Sequence, residues 1–170
     1  MKKLLAIVLT AVFATAVFAA EADSVKNLTQ EEGLKAVEVT LTAEQAEKIQ
    51  AAMASKQIVK TVYTIYTGKV LDVIIEEQQG KWGKIKVAVA IDKATRKVKG
   101  IEVIAMQEKR GAGIKTSSFL GQFTGKSAAE AFEISKDVKA VSGATVSSKA
   151  MAIAVKRALI VYNEAVPAGK

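Results

Sequence analysis

The residues best placed to do chemistry form one short run, Ser142-Gly143-Ala144-Thr145, followed by Val146 and the hydroxyl pair Ser147-Ser148. An apolar pattern with helical spacing begins just after it. The run therefore sits where a loop turns into a helix. Unpaired backbone N–H groups and the positive end of the helix dipole meet at such a junction, and together they suit a phosphate. Gly143 permits a tight or positive-φ turn that brings backbone close to a ligand. Ala144 is too small to shield its neighbour. Thr145 offers a hydroxyl that could be esterified, and Ser147 and Ser148 could cap the helix or bind phosphate oxygens. Taken alone, the same residues also describe an ordinary helix-capping turn.

Composition narrows the chemistry. The chain has 170 residues, half of them hydrophobic, with one proline and neither cysteine nor histidine. This is enough for one domain with a proper core. It excludes thiolate zinc sites, iron–sulfur clusters held by this chain, c-type haem attachment, and triads built on His or Cys. No catalytic residue and no metal site is expected. Redox chemistry would have to ride on an organic cofactor. The net charge of +8 comes from scattered lysines rather than an arginine block interleaved with aromatics. Nucleic acid is therefore not an expected partner, whereas a solvated lysine surface, an acidic redox protein or an anionic membrane surface would each fit.

Lys2 and Lys3 precede an apolar run from Leu4 to Phe18, and Ala19, Ala20 and Ala22 follow. This is the pattern of a bacterial secretory signal, with cleavage expected after Ala19 or Ala22. The competing reading is an uncleaved membrane anchor. Either one places the rest of the chain in the periplasm or on the outer face of the inner membrane.

The elements that must position Thr145 can be read in order. Thr29 and Glu32 have capping-box spacing, which predicts a short helix to about Val37; Thr42 and Gln45 predict a second to about Ser55, with Ala46, Ile49 and Met53 on one face. Strands follow at Thr61–Tyr66, Val70–Ile75, Ile85–Ile91 and Val98–Ala105. Turns fall at Gly68-Lys69, at Gln78 to Gly83 and at Asp92 to Lys97. Ile85, Val87, Val89 and Ile91 alternate with Lys86, Ala88 and Ala90, so one face should be buried. The expected fold class is α+β, an antiparallel β-meander packed with helices. The last helix is expected from Ser147 to Asn163. It carries an apolar stripe of Met151, Val155, Ala158 and Tyr162 and a polar stripe of Lys149, Lys156 and Asn163.

Several motifs stand in a recognisable order: Gly80–Gly83, the strand ending at Asp92, Glu108-Lys109-Arg110-Gly111-Ala112-Gly113, then Gln122-Phe123-Thr124-Gly125-Lys126, then Ser142-Gly143-Ala144-Thr145. In this order the chain resembles the FMN-binding domains of the flavin subunits of Rnf complexes and sodium-translocating NADH:quinone reductases. It looks closer to an exported, stand-alone branch. The resemblance covers roughly residues 60 to 163. It implies FMN joined through its phosphate to Thr145, or held without a covalent bond. Ser142, Gly143, Ala144, Ser147 and Ser148 would surround the phosphate. Glu108, Gly111 and Gly113 would lie on a loop against the flavin, although Glu108 also reads as a surface carboxylate. Trp82 or Tyr63 could stack on the ring or simply belong to the core. One position departs from the family pattern: three residues before Ser142, where an aspartate is usual, this chain has Lys139, with Asp137 two residues earlier.

The expected organisation is a signal or anchor at 1–19, a helical segment at 20–57, an FMN-binding domain at 58–164 and a frayed tail at 165–170. The resemblance implies an electron-transfer flavoprotein more readily than a self-sufficient enzyme. Its partners would be membrane or periplasmic redox proteins and a flavin transferase for maturation. The alternatives are an exported flavin-dependent reductase of a small substrate and a flavin-free binding module of an envelope complex.

Overall fold

A computed structural model describes residues 17–53, 59–108 and 111–167. Its helices are α1 (Val17–Thr29), α2 (Ala43–Ala52), α3 (Ser117–Leu120) and α4 (Thr145–Ala165), and short 3-10 turns flank α3. Its strands are β1 (Lys35–Thr40), β2 (Val62–Thr67), β3 (Leu71–Gln79), β4 (Lys84–Asp92) and β5 (Val98–Met106). All neighbouring strands pair antiparallel, in the order β1-β2-β3-β4-β5. This is the α+β meander expected from the sequence, extended by one strand.

The added strand is a correction. The helix expected between Thr29 and Val37 does not form. Thr29 is instead the last residue of α1, and its hydroxyl donates back to the Val25 carbonyl at 2.9 Å. Gly33 then turns the chain at φ +74°. Lys35 to Thr40 pairs with Thr67 to Val62 along its whole length. A partner strand thus outweighs the capping-box spacing, and the Thr29 hydroxyl is bonded at the end of α1 instead. Glu31, not Glu32, does the local capping: its carboxylate accepts N–H groups of Lys69, Val70 and Leu71 in the β2–β3 turn.

The second capping box forms as expected, with Thr42 and Gln45 bonded reciprocally. Ile49 of α2 and Met53 just beyond its end are buried, and Ala46 is half-buried. The Gln45 side chain donates to the Glu164 carbonyl at 2.6 Å, fastening α2 to the end of α4. The expected continuation of α2 to Ser55 falls partly outside the described residues, as do Lys109, Arg110 and the tail from Ala168.

Ile85, Val87, Val89 and Ile91 of β4 are fully buried, together with Met151, Val155, Ala158 and Tyr162 of α4. Each of the buried Ile, Val and Met side chains contributes roughly 1.5–3 kcal/mol by leaving water. The opposite face of β4, expected to be open, is covered as well. Ala88 and Ala90 are fully buried with Val25, Tyr66, Leu71 and Val73, because α1 packs across that face. Phe119, Phe123 and Phe132 close one end of the α4 core, with ring centroids 5.5 and 6.2 Å apart in succession. Among the described residues no helix is long and apolar enough to cross a membrane. The run Leu4–Phe18 lies almost wholly outside them.

Candidate cofactor site

The helix carrying Thr145 starts without a side-chain cap. Ala144 occupies the cap position at φ −131°, and Thr145 is the first helical residue rather than Ser147. A helix advances 100° per residue, so Thr145 and Ser147 face different ways. Thr145 and Val146 are exposed, while Ala144, Ser147 and Ser148 are buried. Gly143 adopts φ +73°, a conformation that any other residue but Asn or Asp would resist. Nothing stands within 4 Å of the place its Cβ would occupy. The backbone beside the Thr145 hydroxyl is therefore open to an approaching group.

The two serines hold this turn in place. Ser148 Oγ donates to the Ala144 carbonyl at 2.9 Å and accepts the Val141 N–H at 3.0 Å. Ser147 Oγ donates to Glu108 Oε2 at 2.6 Å. The other oxygen of Glu108 accepts the backbone N–H groups of Trp82 at 2.8 Å and Gly83 at 3.2 Å. One carboxylate thus joins the β3–β4 turn, the loop after β5 and the first turn of α4. Burial pushes the Glu108 carboxyl upward. The Ser147 hydroxyl and the N–H groups of Trp82, Gly83 and Lys81 outweigh that and hold it below its ordinary value.

The glycine loop belongs to the same assembly. Gly111 lies against Ser147. A Cβ on Gly113 would stand 2.6 Å from Val141 Cγ1, so only glycine lets the loop pass that closely beneath the motif. The structure therefore brings Glu108, Gly111, Gly113, Ser147 and Ser148 together as the support of the turn. Ser142, Gly143 and Thr145 form its exposed rim. Of the two aromatic candidates, Tyr63 is buried, its hydroxyl pushed up to about 12 chiefly by burial. Trp82 is 51% exposed.

Two residues that the motifs contained, Gln122 and Asp137, have roles that only the structure shows. Gln122 clamps the backbone of Lys139, accepting its N–H at 2.7 Å and donating to its carbonyl at 3.2 Å. That fixes the path into the motif and leaves the Lys139 side chain in solvent. Asp137 accepts the N–H groups of Phe132 and Glu133 at 2.9 and 2.6 Å and pairs with Lys126 at 3.3 Å. The Gln-Phe-x-Gly-Lys segment thus supplies the clamp, a core ring and the counter-ion of Asp137. Behind the site, Arg157 and Glu76 form a buried ion pair at 2.7 Å, and Arg157 also bonds Gln78 and the Glu77 carbonyl. Among the described residues no cluster of side chains could hold a metal ion. A groove of about 350 Å³ runs between α4 and residues 131–134.

Residues 80–160 match the family model of the FMN-binding domain. They belong to that family. The matched stretch contains the Gly80–Gly83 turn, Glu108, the glycine loop, the Gln122 clamp and the Thr145 motif. Among curated proteins, a component of the Na(+)-translocating ferredoxin:NAD(+) oxidoreductase complex of Acetobacterium woodii is 32% identical over 110 residues. The alignment covers 59% of this chain and 49% of that component, so the chain spans about half the length of the relative it matches.

Proposed function

We propose that the protein is an exported electron carrier whose FMN is joined through its phosphate to Thr145 Oγ. The observation that carries this reading is the placement of Thr145. It is the exposed first residue of the 21-residue helix α4, beside the open Gly143, inside an FMN-binding domain. The residues fit the group. A helix start without a side-chain cap leaves N–H groups for phosphate oxygens, and the dipole of α4 favours their charge. Ser148 and Glu108 hold the turn rigid, so little ordering is left for binding to accomplish.

FMN, when bound, supplies both one- and two-electron chemistry, which suits a link between a two-electron donor and one-electron acceptors. The protein holds and orients it. Thr145 Oγ would be the oxygen of the phosphoester, and the exposed turn at Gly143 would leave room for the phosphate beside it. The similarity to one component of an oxidoreductase complex favours other redox proteins as partners; on this reading the donor is a membrane reductase or quinol and the acceptor a second carrier. The apolar run from Leu4 to Phe18 favours export.

A second reading has one observation behind it. Lys139 stands where the family's attachment signal usually has an aspartate, which favours FMN held without a covalent bond, or a flavin-free module. Intact mass decides. Protein exported from a host with an active flavin transferase should gain one FMN minus water on the peptide containing Thr145. Thr145→Ala should lose that gain while keeping its stability within about 0.5 kcal/mol of the parent, as exposed substitutions do. An unmodified parent, or flavin surviving denaturation in Thr145→Ala, refutes the attachment.

A further inference from the structure

Three stretches without aspartate or glutamate converge at the cofactor motif: residues 78–91, 109–129 and 138–163. They meet around Glu108, which accepts from the β3–β4 turn and from Ser147, while Gly111 of the glycine loop lies against Ser147. Glu108 and Asp137, the carboxylates beside this rim, are both taken up by bonds within the chain. Acidic side chains gather at the other end of α4, where α2, carrying exposed Glu44 and Glu47, is fastened at Glu164. Since α4 has 21 residues, the two ends stand ~30 Å apart. Four exposed lysines stand on the segments that build the rim: Lys81 in the β3–β4 turn, Lys115 at the end of the glycine loop, Lys139 ahead of the motif and Lys149 in α4. None of the four is in an ion pair with a described residue. The same segments expose two large apolar side chains, Trp82 and Val146, each 51% exposed. One carboxylate brings these two together, because Glu108 holds the Trp82 N–H with one oxygen and Ser147, the neighbour of Val146, with the other.

We propose that this end of the molecule is the docking surface of an acidic redox protein, with Trp82 and Val146 as its apolar contacts and Lys81, Lys115, Lys139 and Lys149 as its charged ones. The inference rests on the electron-carrier reading above and names the chemistry of the partner. A carrier must meet its partner quickly and leave it again. Weak redox contacts are accordingly small, below ~1,200 Å². Charge attraction raises the rate of encounter by ~10–10³ without holding the complex together for long. Two apolar side chains amid unpaired cations of one sign supply both properties. Thr145 is exposed on the same surface, so docking there brings the partner's cofactor toward the attached flavin. A bilayer suits the surface less well, because two separate side chains do not make the continuous apolar face by which a helix enters the membrane interface.

The test uses the full flavinylated chain and a defined probe, a reduced acidic [2Fe–2S] ferredoxin, whose low potential lets it pass one electron to the flavin. Stopped flow reads the second-order rate per attached flavin. That rate should fall about tenfold between roughly 20 and 300 mM salt. Lys81→Glu with Lys115→Glu should lower the low-salt rate several-fold and flatten its salt dependence. Lys97→Glu with Lys99→Glu makes the same change in net charge at the start of β5, away from Glu108, and should change the rate far less. A rate that ignores salt, or that falls equally in both pairs, overturns the docking surface. A second readout needs no flavin. Carbodiimide coupling of ferredoxin carboxylates, mapped by peptide mass spectrometry, should join Lys81, Lys115, Lys139 or Lys149 rather than Lys97 and Lys99, and equally so in the Thr145→Ala chain. A parent without covalent flavin that still couples at these lysines therefore sinks the attachment and leaves the docking surface standing. Coupling confined to other lysines overturns the surface. So does sedimentation of the parent, but not of the Lys81 and Lys115 variant, with phosphatidylglycerol vesicles and no coupling to ferredoxin, which would assign this end to a membrane.

Discussion

The two faces of the sheet are both covered, but by different means. On one face, α2, α4 and the Phe119–Phe123–Phe132 cluster bury large side chains in a wide core, with Arg157 and Glu76 sealed inside it. On the other, α1 lies alone over a smaller cluster of Tyr66, Leu71, Val73, Ala88 and Ala90. Gly100 lets Leu28 settle close, and a Cβ there would stand 3.1 Å from it. The tie on this face is Glu21, which accepts from the Tyr66 hydroxyl at 3.2 Å and pairs with Lys86. A wide core with an internal ion pair makes a rigid platform, and the flavin motif is built at the start of its helix. A single amphipathic helix held by one carboxylate is a detachable cover.

The most direct way to break this comparison is at Arg157. Glu76 has no solvent exposure, so Arg157→Met leaves a buried carboxylate without its cation. The expected loss is about 3–5 kcal/mol, read from urea unfolding. The pair Glu76→Gln with Arg157→Met should recover much of it, because the uncompensated charge is then gone. If Arg157→Met costs no more than a surface change, the platform does not depend on its internal pair.

A smaller effect is expected on the other face. Glu21→Ala removes a charge-assisted tie worth about 1.5–3 kcal/mol. It should raise amide exchange across residues 21–29 while α4 stays protected. If a signal were removed, cleavage after Ala22 would delete Glu21, whereas cleavage after Ala19 or an uncleaved anchor would keep it. Uniform exchange in both helices would mean that the two faces unfold as one unit.

Much of the wide face was legible in the sequence because it is built locally. β-branched runs, glycine turns and the stripe of Met151, Val155, Ala158 and Tyr162 each point to their own structure. The narrow face was not. Lys35 to Thr40 is a short edge strand with little burial, and only pairing with β2 selects strand over helix there. Ala88 and Ala90 look like outward residues until a helix is placed over them. At the site, the order of the motifs was readable, but the roles of their side chains depended on where α4 starts. A start at Thr145 turns Ser147 inward to Glu108 and leaves Thr145 outside. Gln122 stood in a recognisable motif, but its partner Lys139 lies 17 residues away and could not be read from it.

The smallest effect is read by pH at Glu108, the carboxylate tie of the wide face. Glu108 is held below its ordinary value of 4.5 by the bonds it accepts in the folded chain, despite the opposing push of burial. Its contribution to stability is therefore complete above about pH 4.5 and is lost as pH falls through its lower folded value. Glu108→Gln cannot titrate. The gap in melting temperature between the parent and this variant should be widest near neutrality and should shrink on acidification through that window. Because Glu108 anchors Ser147 while Thr145 points away, the variant should loosen the start of α4 yet leave the Thr145 hydroxyl chemically intact. Flavin should still attach, with reduced occupancy. A melting gap that is constant from pH 7 to about pH 3 would mean that the Glu108 charge contributes nothing to the turn. The hydrogen bond to Ser147 would then act through geometry alone, as a neutral amide could.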